Sequence, residues 1–164
     1  MSIILGSVFV VIGNKVPVSG QSLRGHDDHL PTNKIVVRVD GNRNAYSNST
    51  INVSTGSHVQ ITFVNSARLK MHNWVMAKKS ICVGEICSSI KGLDLAQAGL
   101  ASGSLKEFWP EDESLFHAAT PLVAARNRVT IKFDAPQIPG RYVFLCTVPG
   151  HFENGMSGVV IVSE

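Results

Sequence analysis

The chain has 164 residues, a net charge of +3 and a mean hydropathy of +0.13. This length is typical of one domain, and 44% hydrophobic against 16% charged residues is too apolar for a disordered chain. The small net charge is not by itself the basic footprint of a nucleic-acid-binding protein, and no stretch reaches the ~18 to 20 consecutive apolar residues that a membrane-spanning helix needs.

The first residues resemble an export signal in part. Residues 3–12 form an apolar run of suitable length, and Val18-Ser19-Gly20 offers small residues for cleavage, but no basic residue precedes the run. We predict that residues 1–20 are an export signal or an N-terminal anchor, the alternative being a first β-strand. Residues 21–33 are polar and predict a linker, which leaves residues 34–164 as the folded domain.

Short alternating stretches separated by turn residues predict the architecture of this domain. Predicted strands lie at residues 34–40, 51–53, 58–65, 73–77, 128–133, 141–146 and 158–162. Residues 80–127 do not alternate, and they predict a long irregular insertion with one or two short helices, at 93–101 and 105–109. The fold class is therefore all-β, a β-sandwich with a partly helical insertion before the last three strands.

The three cysteines divide into a pair and a single residue. Cys82 and Cys87 lie in the insertion, whereas Cys146 ends an apolar strand. This division predicts a disulfide between Cys82 and Cys87, which requires an oxidising compartment, and a separate role for the Cys146 thiolate. Two free thiols in a cytosolic protein are the alternative. A four-cysteine zinc site is excluded by the count.

The segment after this last strand carries the strongest chemical signal. Cys146, His151 and Met156 follow one another at five-residue intervals across a loop of turn residues. A thiolate, an imidazole and a thioether suit copper that cycles between Cu(I) and Cu(II), and the set requires a second imidazole. His72 is the natural donor, because it leads into the predicted strand at 73–77. Two histidines and one cysteine with a weak axial methionine form the blue-copper arrangement.

Other interpretations of these residues remain open at this stage. Cys146 and His151 could form the nucleophile–base pair of a thiol hydrolase, but this would leave Met156 and His72 without a role. A further metal site is an alternative use of His117, near the insertion cysteines. The linker histidines, His26 and His29, are spaced like two metal ligands and could form another such site.

The combined pattern resembles the cupredoxins, and specifically the azurin/auracyanin branch. The resemblance rests on CTVPGH and Met156, with the upstream dipeptide His72-Asn73, and it covers roughly residues 34–162. It implies a Greek-key β-sandwich with one copper ion, held by His72, Cys146 and His151 as equatorial ligands and by Met156 as the axial ligand. The chain departs from azurins at Met71, where they usually have glycine.

The resemblance also implies what surrounds the ligands. Asn73 would tie the two ligand loops together, and the backbone N–H groups of Asn73 and Val148 would donate to the Cys146 sulfur, with Thr147 beside them. An apolar docking patch around His151 would consist of Val148, Pro149 and Phe152.

We therefore predict a type 1 copper electron-transfer protein rather than an enzyme. It would shuttle single electrons between a redox donor and an acceptor that dock transiently near His151. It would be an exported monomer, in the periplasm or on the outer membrane face, with the N-terminus available for peripheral membrane association and no nucleic-acid partner. The alternative is an extracytoplasmic copper-binding protein for copper delivery, storage or sensing.

Overall fold

The computed structural model describes residues 32–164 except 79–81, 84–85, 88–89 and 105–107. The predicted signal at 1–20 and nearly all of the predicted linker at 21–33 lie outside the described residues, as do the side chains of 82–83, 86–87 and 90–93. Within the described part, no helix is long and apolar enough to cross a membrane.

The elements are ten strands and one helix in the described part of the chain. In chain order they are β1 (Thr32–Arg38), β2 (Thr50–Ser54), β3 (His58–Val64), β4 (Val75–Ala77), β5 (Cys82–Val83), β6 (Ile86–Cys87), α1 (Ile90–Ser102), β7 (Phe116–Ala119), β8 (Arg128–Asp134), β9 (Gly140–Leu145) and β10 (Ser157–Ser163).

The strands form two main sheets. One sheet has the order β1-β3-β8 and the other has the order β2-β10-β9-β4-β7, while β5 and β6 pair only with each other. The pairs β1–β3 and β2–β10 are parallel, and the remaining pairs are antiparallel. The predicted all-β sandwich with a helical insertion is confirmed.

The main core lies between the two sheets. Alternate residues of β3 point into it, as the alternating burial of that strand shows, and the exposed residues of β1 and β8 lie on the opposite face of the same sheet. Aromatic rings fill the centre: the Phe144 ring lies 5.2 Å from that of Tyr46 and 5.5 Å from that of Trp74. This packing fixes the position of β9, whose end carries Cys146.

A second apolar layer lies on the outer face of β4 and β9. Helix α1 contributes Leu95 and Ala96 to a cluster with Val75, Ala77, Val143 and Leu145. Residues 75–77 and 142–145 are consequently buried on both faces. Because no polar residue alternates there, the two strands read as continuous apolar runs.

The insertion differs from its prediction in detail. Its described residues contain one α-helix, which starts three residues before the predicted 93, together with the antiparallel pair β5–β6 and strand β7 on the edge of the larger sheet. The second predicted helix, at 105–109, falls largely outside the described residues, and Phe108 has a φ of 54°, which no α-helix contains. Gly103, with a φ of 71°, ends α1.

Candidate metal centre

The residues of the site come from two loops at one end of the sandwich. His72 precedes β4, and its backbone exchanges hydrogen bonds with Val123, at 3.2 and 2.8 Å. Cys146 directly follows β9, and Met156 directly precedes β10. Because β9 and β10 are paired, the loop between them returns to its starting point.

Backbone hydrogen bonds close this second loop. The N–H of Cys146 donates to the Met156 carbonyl at 3.2 Å, and the N–H of Met156 donates to the His151 carbonyl at 2.9 Å. The N–H of His151 donates to the Val148 carbonyl at 3.0 Å. The side chains of Cys146, His151 and Met156 are thereby directed from one short loop towards a common point.

The donor atoms of all four predicted ligands meet at that point. The Cys146 Sγ atom lies 3.3 Å from His151 Nδ1 and 3.9 Å from His72 Nδ1. The Met156 Sδ atom lies 3.1 Å from His72 Nδ1. His72, Cys146 and His151 form the only group of three or more His, Cys, Asp or Glu residues within the described part of the chain whose ligand atoms could hold one metal ion.

Burial sets the protonation of the two imidazoles. His72 is fully buried and His151 is 9% exposed. Burial, with smaller effects of His151 and Lys70, lowers the pKa of His72 from 6.5 to about 4. Burial and Lys70 lower the pKa of His151 too, against an opposing effect of Glu153. Both rings are therefore neutral at neutral pH, the form that binds a metal.

The thiol of Cys146 also has a shifted pKa. Burial raises its pKa to about 11, although the backbone N–H groups of Asn73 and Val148 donate hydrogen bonds to the sulfur and act in the opposite direction. These are the two donors predicted from the sequence. A thiol with this pKa is protonated at neutral pH, so a metal that binds there displaces its proton.

The side chain of Asn73 joins the two loops. Its Nδ2 donates to Thr147 Oγ1 at 2.7 Å, and its Oδ1 accepts from the Thr147 N–H at 2.9 Å. The buried hydroxyl of Tyr46 donates to the Asn73 carbonyl at 2.7 Å. The residues that follow His72 and Cys146 are thus held together by direct hydrogen bonds.

The donor set fits copper. Two neutral imidazoles, one thiol that can become a thiolate and one thioether converge in a buried space, and no carboxylate takes part among the described residues. Soft sulfur ligands with imidazoles favour copper over magnesium, calcium or manganese. Buried surroundings also limit the access of water to a bound ion.

The residues of the predicted docking patch lie on the same loop as three of the predicted ligands. Pro149 is exposed, and Val148 and Phe152 are half-buried. Met71, which precedes His72, is 45% exposed. The exposed residues 149 and 150 and the more exposed of the two imidazoles therefore belong to the same surface loop.

The predicted disulfide remains a prediction. Cys82 and Cys87 are direct partners in the antiparallel register of β5 and β6, but their side chains lie outside the described residues. Antiparallel partners have a Cβ separation of about 4.5 to 5.5 Å, close to what a disulfide needs.

The other histidines have different partners. His58 Nδ1 lies 2.7 Å from the Asp134 carboxylate, and His117 Nε2 donates to the Asp134 carbonyl at 2.7 Å. The suggested metal site at His117 would need side chains outside the described residues, and His26 and His29 also lie outside them.

Two contributors were missed by the sequence analysis. Tyr46 lies in an irregular segment, and Val123 lies at the end of the insertion. Neither position shows a motif. Their roles depend on long-range contacts with the residues at 72 and 73, which a local pattern does not record.

Comparison with known proteins gives consistent results. The sequence profile of copper-binding proteins of the plastocyanin/azurin family matches residues 33–163. Auracyanin-A of Chloroflexus aurantiacus is 33% identical over 75% of this chain and 70% of its own length. Auracyanin-B of the same organism is 25% identical over 83% of this chain, and the match spans only 54% of that relative.

Solved structures agree with the sequence matches. A reduced auracyanin from the photosynthetic bacterium Roseiflexus castenholzii superimposes with a TM-score of 0.72 and 32% identity, covering 80% of this chain and 97% of that one. Auracyanin A of Chloroflexus aurantiacus, described as a "blue" copper protein, gives a TM-score of 0.71 and 30% identity, covering 81% of this chain and all of that one.

Proposed function

From the premise that this chain belongs to the plastocyanin/azurin family of copper-binding proteins, we propose that it is a one-electron carrier. The observation that carries the proposal is the convergence of two imidazole Nδ1 atoms, one thiol and one thioether in a buried space. When bound, the copper ion supplies the Cu(I)/Cu(II) couple.

In this proposal His72, Cys146 and His151 would be the strong ligands of the copper ion and Met156 the weak one. Their positions are set by the sandwich core and by the backbone hydrogen bonds of the loop, so the protein has little to rearrange when one electron arrives or leaves. The N–H groups of Asn73 and Val148 stabilise the electron-rich thiolate and thereby raise the reduction potential.

His151 is the proposed point of electron transfer. It is 9% exposed, whereas His72, Cys146 and Met156 are fully buried. The patch of Val148, Pro149 and Phe152 would give a redox partner a small apolar surface, typical of encounters that dissociate readily. No enzymatic step is needed for this role.

The proposal includes an extracytoplasmic location for a monomeric protein. The apolar run at 3–12 supports export, and the strand register that places Cys82 opposite Cys87 would allow the disulfide of an oxidising compartment. Two measurements test this: the mass of the unfolded chain before and after reduction and alkylation, and the distribution of the protein between cell fractions. A fully reduced, cytosolic protein would contradict the proposed location.

The decisive test is the optical and EPR spectrum of the protein with one equivalent of Cu(II). We expect an intense visible thiolate-to-copper band and an unusually small copper hyperfine splitting, both lost in Cys146→Ser. A colourless wild-type protein, or an ordinary cupric EPR signal, would mean that Cys146 does not bind copper, and the proposed function would be wrong.

A matched pair of variants tests the assignment of His151. His151→Gly is expected to keep the fold and to open the site, so that added imidazole changes the spectrum. His117→Gly is the control, because His117 donates to the Asp134 carbonyl and takes no part in the cluster. An unchanged copper spectrum in His151→Gly would overturn the assignment.

An electron carrier and a copper-delivery protein differ in the rates of electron self-exchange and of Cu(I) release. A carrier exchanges electrons rapidly between its oxidised and reduced forms and retains Cu(I) in the presence of a chelator such as bathocuproine disulfonate. Rapid loss of Cu(I) to the chelator, together with slow self-exchange by NMR line broadening, would replace the carrier with a delivery protein.

A further inference from the structure

Helix α1 approaches the ligand loop closely at Gly99. A Cβ atom at Gly99 would lie 2.5 Å from the Thr147 Cβ, 2.9 Å from the Phe108 carbonyl oxygen and 3.1 Å from the Thr147 carbonyl oxygen. Side chains do not approach so closely, and two of these three atoms belong to backbone that cannot swing away. The helix backbone therefore packs directly on the residue that follows the Cys146 thiol.

Phe108, which follows α1 in the chain, completes this contact. Its carbonyl accepts a hydrogen bond from Thr147 Oγ1 at 2.7 Å, and its N–H donates to the Gly103 carbonyl at 3.0 Å. Phe108 has a φ of 54°, in the left-handed region that a bulky residue rarely adopts. Strained residues of this kind persist where the surrounding structure holds them, and they are common near functional sites.

Thr147 is consequently held from two sides. Asn73 binds its backbone N–H and its hydroxyl, while Phe108 accepts from the same hydroxyl and Gly99 confines its side chain. Thr147 is 1% exposed and lies between Cys146 and Val148, whose N–H donates to the sulfur. A displacement of Thr147 moves both the sulfur and its hydrogen-bond donor.

We propose that helix α1 and Phe108 form a clamp that sets the orientation of the Cys146 ligand, with Gly99 and Phe108 as positioning residues. The inference deepens the proposed function, since it rests on copper binding at Cys146. It gives the insertion a role in tuning the copper site, through packing and one carbonyl, without a residue that touches the metal.

The principal test compares Gly99→Ala with Leu95→Ala. Gly99→Ala pushes α1 away from Thr147, so the N–H to sulfur bonds lengthen. We expect a shifted visible band, a larger hyperfine splitting, a lower reduction potential and a copper affinity reduced by about tenfold or more, as is usual when the supporting groups of a metal site are removed. Leu95→Ala removes packing of the same helix against the apolar cluster on β4 and β9 and adds no atom next to Thr147, so we expect unchanged spectra and potential.

A measurement on the metal-free protein is independent of copper loading. The Thr147 N–H donates to Asn73, so its hydrogen exchange reports the position of the loop. Gly99→Ala is expected to accelerate this exchange, and Leu95→Ala is expected to leave its rate, relative to global unfolding, unchanged.

A second pair keeps the test valid if Gly99→Ala does not fold. Thr147→Val removes the hydroxyl at nearly constant volume, whereas Thr147→Ser keeps it. We expect the spectral shift and the lower reduction potential in Thr147→Val. In Thr147→Ser we expect a visible band and a reduction potential close to those of the wild-type protein. An equal shift in these two variants would mean that the Phe108 carbonyl does not position the loop.

The outcomes separate this inference from the proposed function. If the wild-type protein lacks a thiolate–copper band, the proposed function fails and the clamp fails with it. If the wild-type band is present but Gly99→Ala and Leu95→Ala have the same copper spectrum and potential as wild type, or shift both equally, only the clamp is wrong.

Discussion

The inner and outer faces of β4 and β9 are both buried, but different parts of the molecule cover them. The inner face meets the opposite sheet and carries Met76 and Phe144, with Trp74 just before β4 and the thiol of Cys146 just after β9. The outer face, with Val75 and Leu145, is covered by α1 of the insertion. The sandwich core therefore builds the site, and the insertion supports it from behind.

The largest loss of stability is expected from a substitution on the inner face. Phe144 is fully buried between the rings of Tyr46 and Trp74, so Phe144→Ala leaves a large cavity. We expect the free energy of unfolding to fall by about 3 to 5 kcal/mol, measured by urea denaturation of the metal-free protein. A loss no larger than that of an outer-face variant would contradict the distinction between the faces.

Acid should destabilise the metal-free protein through the buried imidazole of His72. Its pKa is 6.5 when unfolded and about 4 when folded, so between these values the unfolded chain binds more protons. The free energy of unfolding of the metal-free protein should therefore fall as pH falls from about 6.5 to about 4, by about 3 kcal/mol at most, and His151 adds to the same trend.

Denaturation at pH 7.5, 6, 5 and 4.5 measures this dependence. His72→Gln removes the titrating group and should flatten the curve. An equally steep curve in this variant would show that another group causes the loss of stability in acid.

A substitution that affects the outer face should lower the free energy of unfolding by less. Leu95 is 1% exposed on α1, and Leu95→Ala is expected to lower the free energy of unfolding by about 2 to 3 kcal/mol, because the helix can move to fill part of the space. The sandwich should remain intact, as shown by an unchanged far-ultraviolet spectrum. A loss above that of Phe144→Ala would make the insertion part of the main core.

The smallest effect is expected at Trp74, although it is fully buried. Its Nε1 atom has no hydrogen-bond partner within the described residues, so the N–H is buried at a cost. Trp74→Phe loses ring volume but also removes this donor, and we expect a change in the free energy of unfolding below about 1 kcal/mol. A loss of several kcal/mol would show that the lost ring volume outweighs the removal of the unpaired donor.

The sequence predicts the parts whose signal is local. Alternation in β3 and β8 reports one buried face, and both strands were predicted within one residue of their bounds. Cys146, His151 and Met156 were predictable as a group because they lie on one loop. His72 required a further argument, that the chemistry needs a second imidazole.

The remaining features depend on contacts between distant segments. Strand β4 is buried on both faces, so its start at Val75 could not be read from alternation. Strand β7 has four residues and is defined by its pairing with β4. The contact at Gly99 is invisible in the sequence, because a glycine inside a helix shows no sign of what lies against it.

The burial of the four predicted ligands constrains how this protein meets its partners. Only His151 among them reaches the surface, with 9% of its area. In the proposed role, an electron that enters by this imidazole would also leave by it, so that donor and acceptor would compete for one face and take turns. Turnover would then depend on how quickly each partner departs, and a large excess of either partner would slow the overall flow of electrons.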